Sequence, residues 1–520
     1  MNISKSKIRG FIVFFLVVCA AFFLFASFRD ADPDLWGHLM YGKDTFENKS
    51  LARYDPYSYT AENAPWINHE WLSELIFYSI YRFSGSKGLF LFKILIGLLT
   101  ALILWLTYAV RKHNYKIISS IIFILSLSVI TFGFAIRPQI FTYLFFSLFI
   151  YIIHLLRFKN KNLLWVLPVI TAIWVNLHGG FLAGISLLAI FSVSEALALM
   201  FIPREWPLDR LEKKTVINLF TALLFCILAA FINPYGIKLF YFLHETLTQS
   251  RPYIWEWYSF KFNIFFIDYA LLAGLAVTVL ASLIFTKTKF SLGEITTLCF
   301  ILFISLKHIR HIPFFAIRSF PLIASFSEAF AASVNQRKQI LYKRIFLIVL
   351  VLLTAGIIYP EIANKTRRPF NITVDKSVFP IQEINFLKSN KLKGNILVDF
   401  EWGQYAIWKL YPLCKVSTDG RYRTVYPAAL LKEHFDFLHG KSNPENLMNK
   451  YPHEWILIKK QRPVTQYLRK QKDWEIVYES ANSPALFMVK KDTLAWHLLN
   501  DKMKERILLM PQAGISTAFP

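Results

Sequence analysis

The chain has 520 residues, of which 55% are hydrophobic, 17% aromatic and only 18% charged. That excludes a disordered chain, a collagen and a disulfide scaffold, and apolar runs of about 20 residues argue against an ordinary soluble enzyme. The formal net charge of +24 would suggest nucleic acid on a soluble protein, but here it fits lysines and arginines gathered in cytoplasmic loops, and no nucleic-acid partner is expected.

The first apolar run, 10–28, follows Lys5, Lys7 and Arg9. It exceeds the usual core of a signal peptide and no A-x-A site follows, so a retained helix with a cytoplasmic N-terminus is expected. Further runs lie at 88–110, 117–135, 140–156, 163–177, 181–202, 215–232, 263–285, 292–307, 313–331 and 345–360. Together they predict eleven spans. Every second loop is basic: Arg111, Lys112 and Lys116; Arg157, Lys159 and Lys161; Arg204, Arg210, Lys213 and Lys214; Lys287 and Lys289; Arg337, Lys338, Lys343 and Arg344. The positive-inside rule puts these loops in the cytoplasm and the C-terminal tail outside. Cys19, Cys226, Cys299 and Cys414 are too far apart for a disulfide framework or a C-x-x-C metal site.

The outer loops carry a different chemistry. The first is long, 29–87. The others are short and polar, around Arg137-Pro138-Gln139, Asn176-Leu177-His178-Gly179-Gly180, Asn233-Pro234-Tyr235-Gly236 and Lys307-His308-Ile309-Arg310-His311, with a longer one reaching Trp255-Glu256-Trp257. Ionisable groups at span ends are costly unless they face a wet cavity, so their gathering on one side suggests a shared outward site. The plainer alternative is that they cap helices and snorkel to headgroups. The tail, 361–520, returns to soluble composition. Strands are predicted at Asn395–Asp399, Trp455–Ile458, Glu475–Tyr478 and Ala485–Val489, with helices near Ile381–Leu387 and Ala428–Leu438. The domains expected are thus 1–360, a membrane domain, and 361–520, a small α/β domain outside the membrane.

The densest signal follows the first helix, in Arg29-Asp30-Ala31-Asp32-Pro33-Asp34-Leu35-Trp36-Gly37-His38-Leu39. Carboxylates crowded at a membrane surface can raise one pKa toward that of a base, or bind a divalent cation. A helix starting near Pro33 would present Asp34 and His38 on one face, with Asp32 as its cap. Farther on, Asn68-His69-Glu70 opens an amphipathic stretch with Leu72, Leu75, Ile76 and Ser79 at helical spacing. Such a helix would lie on the outer leaflet and hold His69 and Glu70 over the cavity. His38, His69 and His178 form a weak zinc set by spacing. Arg137, Arg310 and His311 supply outer-face cations, joined by Lys307 and His308. Arginine suits bidentate phosphate contacts, either to a lipid-phosphate substrate or to ordinary lipids.

This arrangement resembles the GT-C superfamily of integral-membrane glycosyltransferases. Asp32-Pro33-Asp34-Leu35-Trp36-Gly37-His38 stands where that family carries its acidic motif, and Trp66-Ile67-Asn68-His69-Glu70-Trp71-Leu72 stands before its second interfacial helix, departing from the family motif in detail. The chain is also similar to a bacterial branch that combines these with D-P-Y-S-Y-T, R-P-Q, N-x-H-G-G, N-P-Y-G, R-H-I-P and a tail motif W-G-x-Y followed by D-G-R, here Trp402-Gly403-Gln404-Tyr405 and Asp419-Gly420-Arg421. The resemblance implies a polytopic α-helical GT-C-like fold in a bacterial inner membrane, and transfer of a sugar from a polyprenyl-phosphate donor to a glycan, lipid or protein acceptor. It implies Asp34 as the base or acceptor-positioning carboxylate, with Asp32 as second choice, and Arg137 or Arg310 steadying the leaving phosphate. Asn68, His69, Glu70, His38, His178, His311 and Glu256 are the further substrate-binding candidates. Metal use is open, since the family differs within itself. Asp419-Gly420-Arg421 reads most simply as a turn. The rival readings are a flippase for a lipid-linked glycan, a polysaccharide polymerase or ligase, and a non-catalytic assembly protein. Few charges inside the middle spans argue against the flippase.

Overall fold

A computed structural model describes the chain apart from residues 1–4, 28, 112–115, 204, 207, 250, 261–289, 334–335, 364–370, 481–482, 500–515 and 519–520. In chain order the helices are α1 (Lys5–Ser27), α2 (Leu35–Asn48), α3 (Trp71–Ala109), α4 (Lys116–Thr131), α5 (Gln139–Lys159), α6 (Val166–Trp174), α7 (Phe181–Phe201), α8 (Lys213–Ala229), α9 (Lys238–Thr248), α10 (Leu292–Lys307), α11 (Ile312–Ser333) and α12 (Gln336–Ala363). Each expected span has a helix at its place except 263–285, which lies outside the described residues, as do Lys287 and Lys289. Five described helices are long and apolar enough to cross a membrane: α1, α3, α5, α7 and the 341–360 part of α12. The expected count of eleven is therefore not what length and composition single out, because helices such as α6, with nine residues, are too short. The chain is a multi-pass membrane protein.

Two compact units form. The first comprises residues 1–28, 90–237 and 250–368 and holds most of the apolar helices. The second gathers 29–89, 238–249 and 369–520, so the first long loop clusters with the tail. Helix α3 contributes to both, and it breaks at Gly85, whose φ of 61° and ψ of −157° lie where only glycine is unstrained. The amphipathic, half-buried stretch 71–84 precedes the break and a more uniformly apolar stretch follows it.

The first unit buries charge. Helix α10 opens with a capping box, in which Ser291 Oγ accepts the Glu294 N–H and Glu294 accepts the Ser291 N–H, both at 3.2 Å. The same Glu294 carboxylate pairs with Arg111 at 3.0 Å and Arg157 at 2.5 Å. Arg318 of α11 donates to the Glu294 carbonyl and to Thr297 Oγ1, each at 3.1 Å. Glu195 of α7 accepts the Gly293 N–H at 2.9 Å. Arg157, read from sequence as a loop charge, lies inside α5 and is almost wholly buried. The spans thus hold more charge than hydropathy suggested, but in mutually neutralising pairs.

In the second unit the tail adds β1 (Thr373–Asp375), α13 (Ile381–Ser389), β2 (Gly394–Val398), α14 (Gly403–Leu410), β3 (Cys414–Val416), α15 (Ala428–Leu438), α16 (Pro444–Lys450), β4 (Trp455–Lys459), α17 (Thr465–Leu468), β5 (Trp474–Tyr478), β6 (Ala485–Lys490), α18 (Leu494–His497) and β7 (Ser516–Ala518). The main sheet runs β3-β2-β4-β6-β5. Strands β3, β2 and β4 are parallel, and β6 is antiparallel to β4 and β5. Continuous apolar runs such as Ile456-Leu457-Ile458 suit strands covered on both faces, and these are buried. The four predicted strands and both predicted helices appear within two residues of their expected bounds. Strands β1, β3 and β7 were not predicted, each being three residues long with no alternation to read. The first loop joins the sheet region, with Ser58 bridging Val416 and Asp30 bridging Thr373.

Candidate functional site

The acidic motif sits at the start of α2. The Asp32 carboxylate accepts the Asp34 N–H at 2.9 Å, and the Asp32 carbonyl accepts the Leu35 N–H at 3.1 Å. Asp32 therefore caps the turn before the helix and not, as the sequence predicts, the helix itself: the regular helix begins at Leu35 with Asp34 at its N-cap position, and Pro33 lies outside it. The Asp34 side chain makes no helix cap. One turn on, the Asp34 carbonyl accepts the His38 N–H at 3.1 Å, which fixes both residues on one stretch of α2.

His38 is buried, and its Nδ1 lies 3.2 Å from Glu74 Oε1. The other Glu74 oxygen accepts from Asn68 Nδ2 at 2.5 Å, and Asn68 Oδ1 accepts the Glu70 N–H at 3.3 Å. Burial opposes a proton on His38, but the hydrogen bond to Glu74 and the charges of Glu70, Glu74 and Asp34 outweigh it, so its pKa is raised. Ligand atoms of His38, Glu70 and Glu74 all lie within 4.8 Å of one another. One imidazole and two carboxylates suit a zinc- or manganese-like cation, which would need His38 neutral. Glu74 was missed in the sequence because it sits within the amphipathic stretch; its place one helical turn after Glu70 was the available signal. The helix starts at Trp71, so His69 and Glu70 lie in the turn before it rather than on it. The His69 ring rests 5.1 Å from Phe242, and its Nε2 is 3.7 Å from Glu70.

Of the expected histidine set, His38 and His69 fall in the second unit, where among the described residues the group that gathers is His38, Glu70 and Glu74. His178 belongs to the first unit. There Trp174 Nε1 donates to Thr142 Oγ1 at 2.8 Å, and Thr142 Oγ1 shares a hydrogen bond with His178 Nδ1 at 2.8 Å. The Gly180 N–H donates to the same nitrogen at 3.1 Å. His178 Nδ1 is thereby committed to shaping the Asn176–Gly180 turn.

A second cluster, also in the first unit, gathers Arg137, Glu256, Arg310 and His311. Arg137 pairs with Glu256 at 2.7 Å. The Arg251 and Arg310 guanidinium carbons lie 4.1 and 4.6 Å from the Trp257 ring centroid. Burial would raise the Glu256 pKa, but Arg137, Arg310 and Arg251 hold it below the usual range. Three guanidinium groups against one carboxylate leave positive charge suited to a phosphate. His311 is not one of the cations: burial, helped by Arg310 and His308, pushes its pKa down to about 3, so it is neutral.

The Asp419-Gly420-Arg421 motif, which reads most simply as a turn, meets the first loop. Arg421 is buried, donating to Asp419 at 2.7 Å and to Asp55 at 2.7 Å. The Tyr41, Tyr57 and Trp66 rings lie 5.4, 5.1 and 5.0 Å from its guanidinium carbon. Tyr426 donates to Asp419 at 2.5 Å. Burial would raise the Asp419 pKa, yet Arg421 holds it low. The tail's Gln404 reaches Asp34 itself.

Two tail histidines set a pH dependence. Burial pushes His434 and His453 down to about 4, so both are neutral in the fold. Unfolding exposes imidazoles that titrate near 6.5, so the unfolded state binds more protons between pH 6.5 and 4. Their contribution is complete above pH 6.5 and is lost on acidification. His38, with a raised pKa, works oppositely, contributing fully below pH 6.5 and losing this as pH rises. With His311, which is depressed in the same way, three groups against one give a net fall in melting temperature from pH 7 to 5. Replacing His453 with Phe should flatten that fall by about 5 °C, as measured by thermal scanning at both pH values.

No protein-family model matches the chain, and no curated protein sequence matches it. Solved structures do. The chain is similar to the archaeal oligosaccharyltransferase AglB from Archaeoglobus fulgidus in complex with an inhibitory peptide and a dolichol-phosphate, at 10% identity over 87% of this chain and 70% of that one, with a TM-score of 0.55. The apo form of the Archaeoglobus fulgidus oligosaccharyltransferase gives 11% identity, 88% and 70% coverage and a TM-score of 0.54. ArnT from Cupriavidus metallidurans bound to undecaprenyl phosphate gives 11% identity, 93% and 99% coverage and a TM-score of 0.46. The chain has a GT-C-like membrane fold with a small C-terminal sheet module.

Proposed function

We propose that this chain is a glycosyltransferase that moves a sugar from a polyprenyl-phosphate donor to a glycan, lipid or protein acceptor. The observation that supports this most is the assembly of Asp34, His38, Asn68, Glu70 and Glu74 in one unit at the acidic motif of a GT-C-like fold. A solved counterpart of that fold is described with a dolichol-phosphate and a peptide. In this reading Asp34 takes the proton from an acceptor hydroxyl, with Asp32 as the second candidate. The acceptor oxygen bonds to the anomeric carbon, the bond from that carbon to the phosphate oxygen breaks, and polyprenyl phosphate leaves with the electron pair. Arg137 and Arg310 hold the phosphate, and Glu256 orients Arg137 through their ion pair. His38, Glu70 and Glu74 would hold a divalent cation if one takes part, and that cation would supply charge stabilisation. The proposed setting is a bacterial inner membrane, N-terminus in the cytoplasm and C-terminal module outside.

The flippase reading gains from Glu195, Glu294 and Arg318 buried within the helices. One comparison separates the two. Envelope glycans and polyprenyl-phosphate sugars are measured by mass spectrometry in a deletion strain carrying wild type, Asp34→Asn or Asp32→Asn. A transferase predicts one missing sugar, accumulated donor, and at least about hundredfold lower transfer with Asp34→Asn. Full rescue by both variants would sink the transferase reading.

A further inference from the structure

Three separate stretches of sequence converge on one carboxylate. Helix α14 is clamped to α2 by aromatic rings: Trp36 lies 4.8 Å from Tyr405 and 5.8 Å from Phe379, and those two lie 5.3 Å apart. The clamp delivers the Gln404 side chain, which is 4% exposed, to the start of α2. With its amide nitrogen turned toward α2, Gln404 donates to Asp34 Oδ1 at 3.2 Å and to the Pro33 and Asp34 carbonyls at 3.1 Å each. The opposite orientation would set the amide oxygen against three acceptors. Two hydrogens serve three acceptors, so the amide cannot turn away without losing them together.

The glycines flanking this contact have no room for a side chain. A Cβ on Gly37 would lie 2.5 Å from Gln404 Cδ, and one on Gly420 would lie 2.5 Å from Asp34 Oδ1 and 2.9 Å from Gln404 Cδ. The motifs Asp32–His38, Trp402–Tyr405 and Asp419–Arg421 therefore each contribute one piece to the setting of Asp34.

We propose that Gln404 is a positioning residue: its amide fixes the Asp34 carboxylate, and Gly37 and Gly420 leave the space in which it does so. The tail module then takes part in the chemistry through Asp34. This rests on the reading of Asp34 as the base.

The test uses the purified full-length protein and needs no substrate. Carboxyl groups are coupled to glycine ethyl ester with a water-soluble carbodiimide at pH 6, and each site is quantified by peptide mass spectrometry. Carbodiimide reacts through the protonated carboxyl, which a donated hydrogen bond disfavours. Gln404→Leu, similar in size and unable to donate, should raise labelling of Asp34 about tenfold, with labelling of exposed Asp473 unchanged. Wild-type labelling of Asp34 in a Gln404→Leu protein that melts like wild type overturns the proposal. Should Gln404→Leu fail to fold, Gly420→Ala takes its place: its Cβ must displace Asp34 or Gln404, the same rise is expected, and wild-type labelling again overturns the proposal. Failure of the base reading is seen separately, as full transfer by Asp34→Asn while labelling still responds to Gln404→Leu.

Discussion

Arg421→Met is expected to destabilise the second unit by about 3–5 kcal/mol. The guanidinium is buried against Asp419 and Asp55, whose carboxylates are themselves fully buried. Removing it leaves two buried carboxylates without their counter-charge in an aromatic cage of Tyr41, Tyr57, Trp66 and Tyr426. They must then take up protons or admit water, and either costs several kcal/mol. The cost should largely vanish when both acids are neutralised as well. Arg421→Met combined with Asp55→Asn and Asp419→Asn should be more stable than Arg421→Met alone, since the unpaired charge is gone. Thermal unfolding of the detergent-solubilised protein measures both. A single variant as stable as wild type would mean that the cage does not hold the loop to the tail.

Glu294→Gln should have a comparable effect in the first unit, again about 3–5 kcal/mol. One carboxylate there compensates Arg111 and Arg157 and closes the capping box of α10. A neutral amide keeps the shape and the hydrogen bond to Ser291, but it leaves guanidinium charge uncompensated among buried groups. The loss of melting temperature should exceed that of Ser291→Ala, which removes the cap alone at about 1 kcal/mol. Equal losses would show that Glu294 matters as a cap and not as a counter-charge.

The helical spans and the tail strands were legible because hydropathy and alternation are local signals. Ile456-Leu457-Ile458 and 345–360 announce themselves within a short window. The acidic motif was legible for the same reason, through Asp32, Pro33 and Asp34. What sequence could not give was pairing at a distance. Arg421 and Asp55 are 366 residues apart, and no spacing rule links them. Gln404 carries no charge and so left no trace among the titratable candidates, although its neighbours Gly403 and Tyr405 lay in a quoted motif. Glu74 was hidden because the helical pattern of Leu72, Leu75, Ile76 and Ser79 draws attention to the apolar positions beside it. Arg111 and Arg157 were hidden by the positive-inside rule, which explains a basic residue near a span end without asking for its partner.

The same separation has a consequence for biosynthesis. Asp55 emerges from the ribosome hundreds of residues before Arg421. At about 5–20 residues per second, that interval lasts on the order of 20–70 s. Throughout it, Tyr41, Tyr57 and Trp66 have no cation to enclose, and the first loop waits as an incomplete surface while the helices after it are made and inserted. A chain cut short before the Asp419-Gly420-Arg421 turn would keep every apolar span yet leave that loop permanently unfinished, and so exposed to cellular proteases.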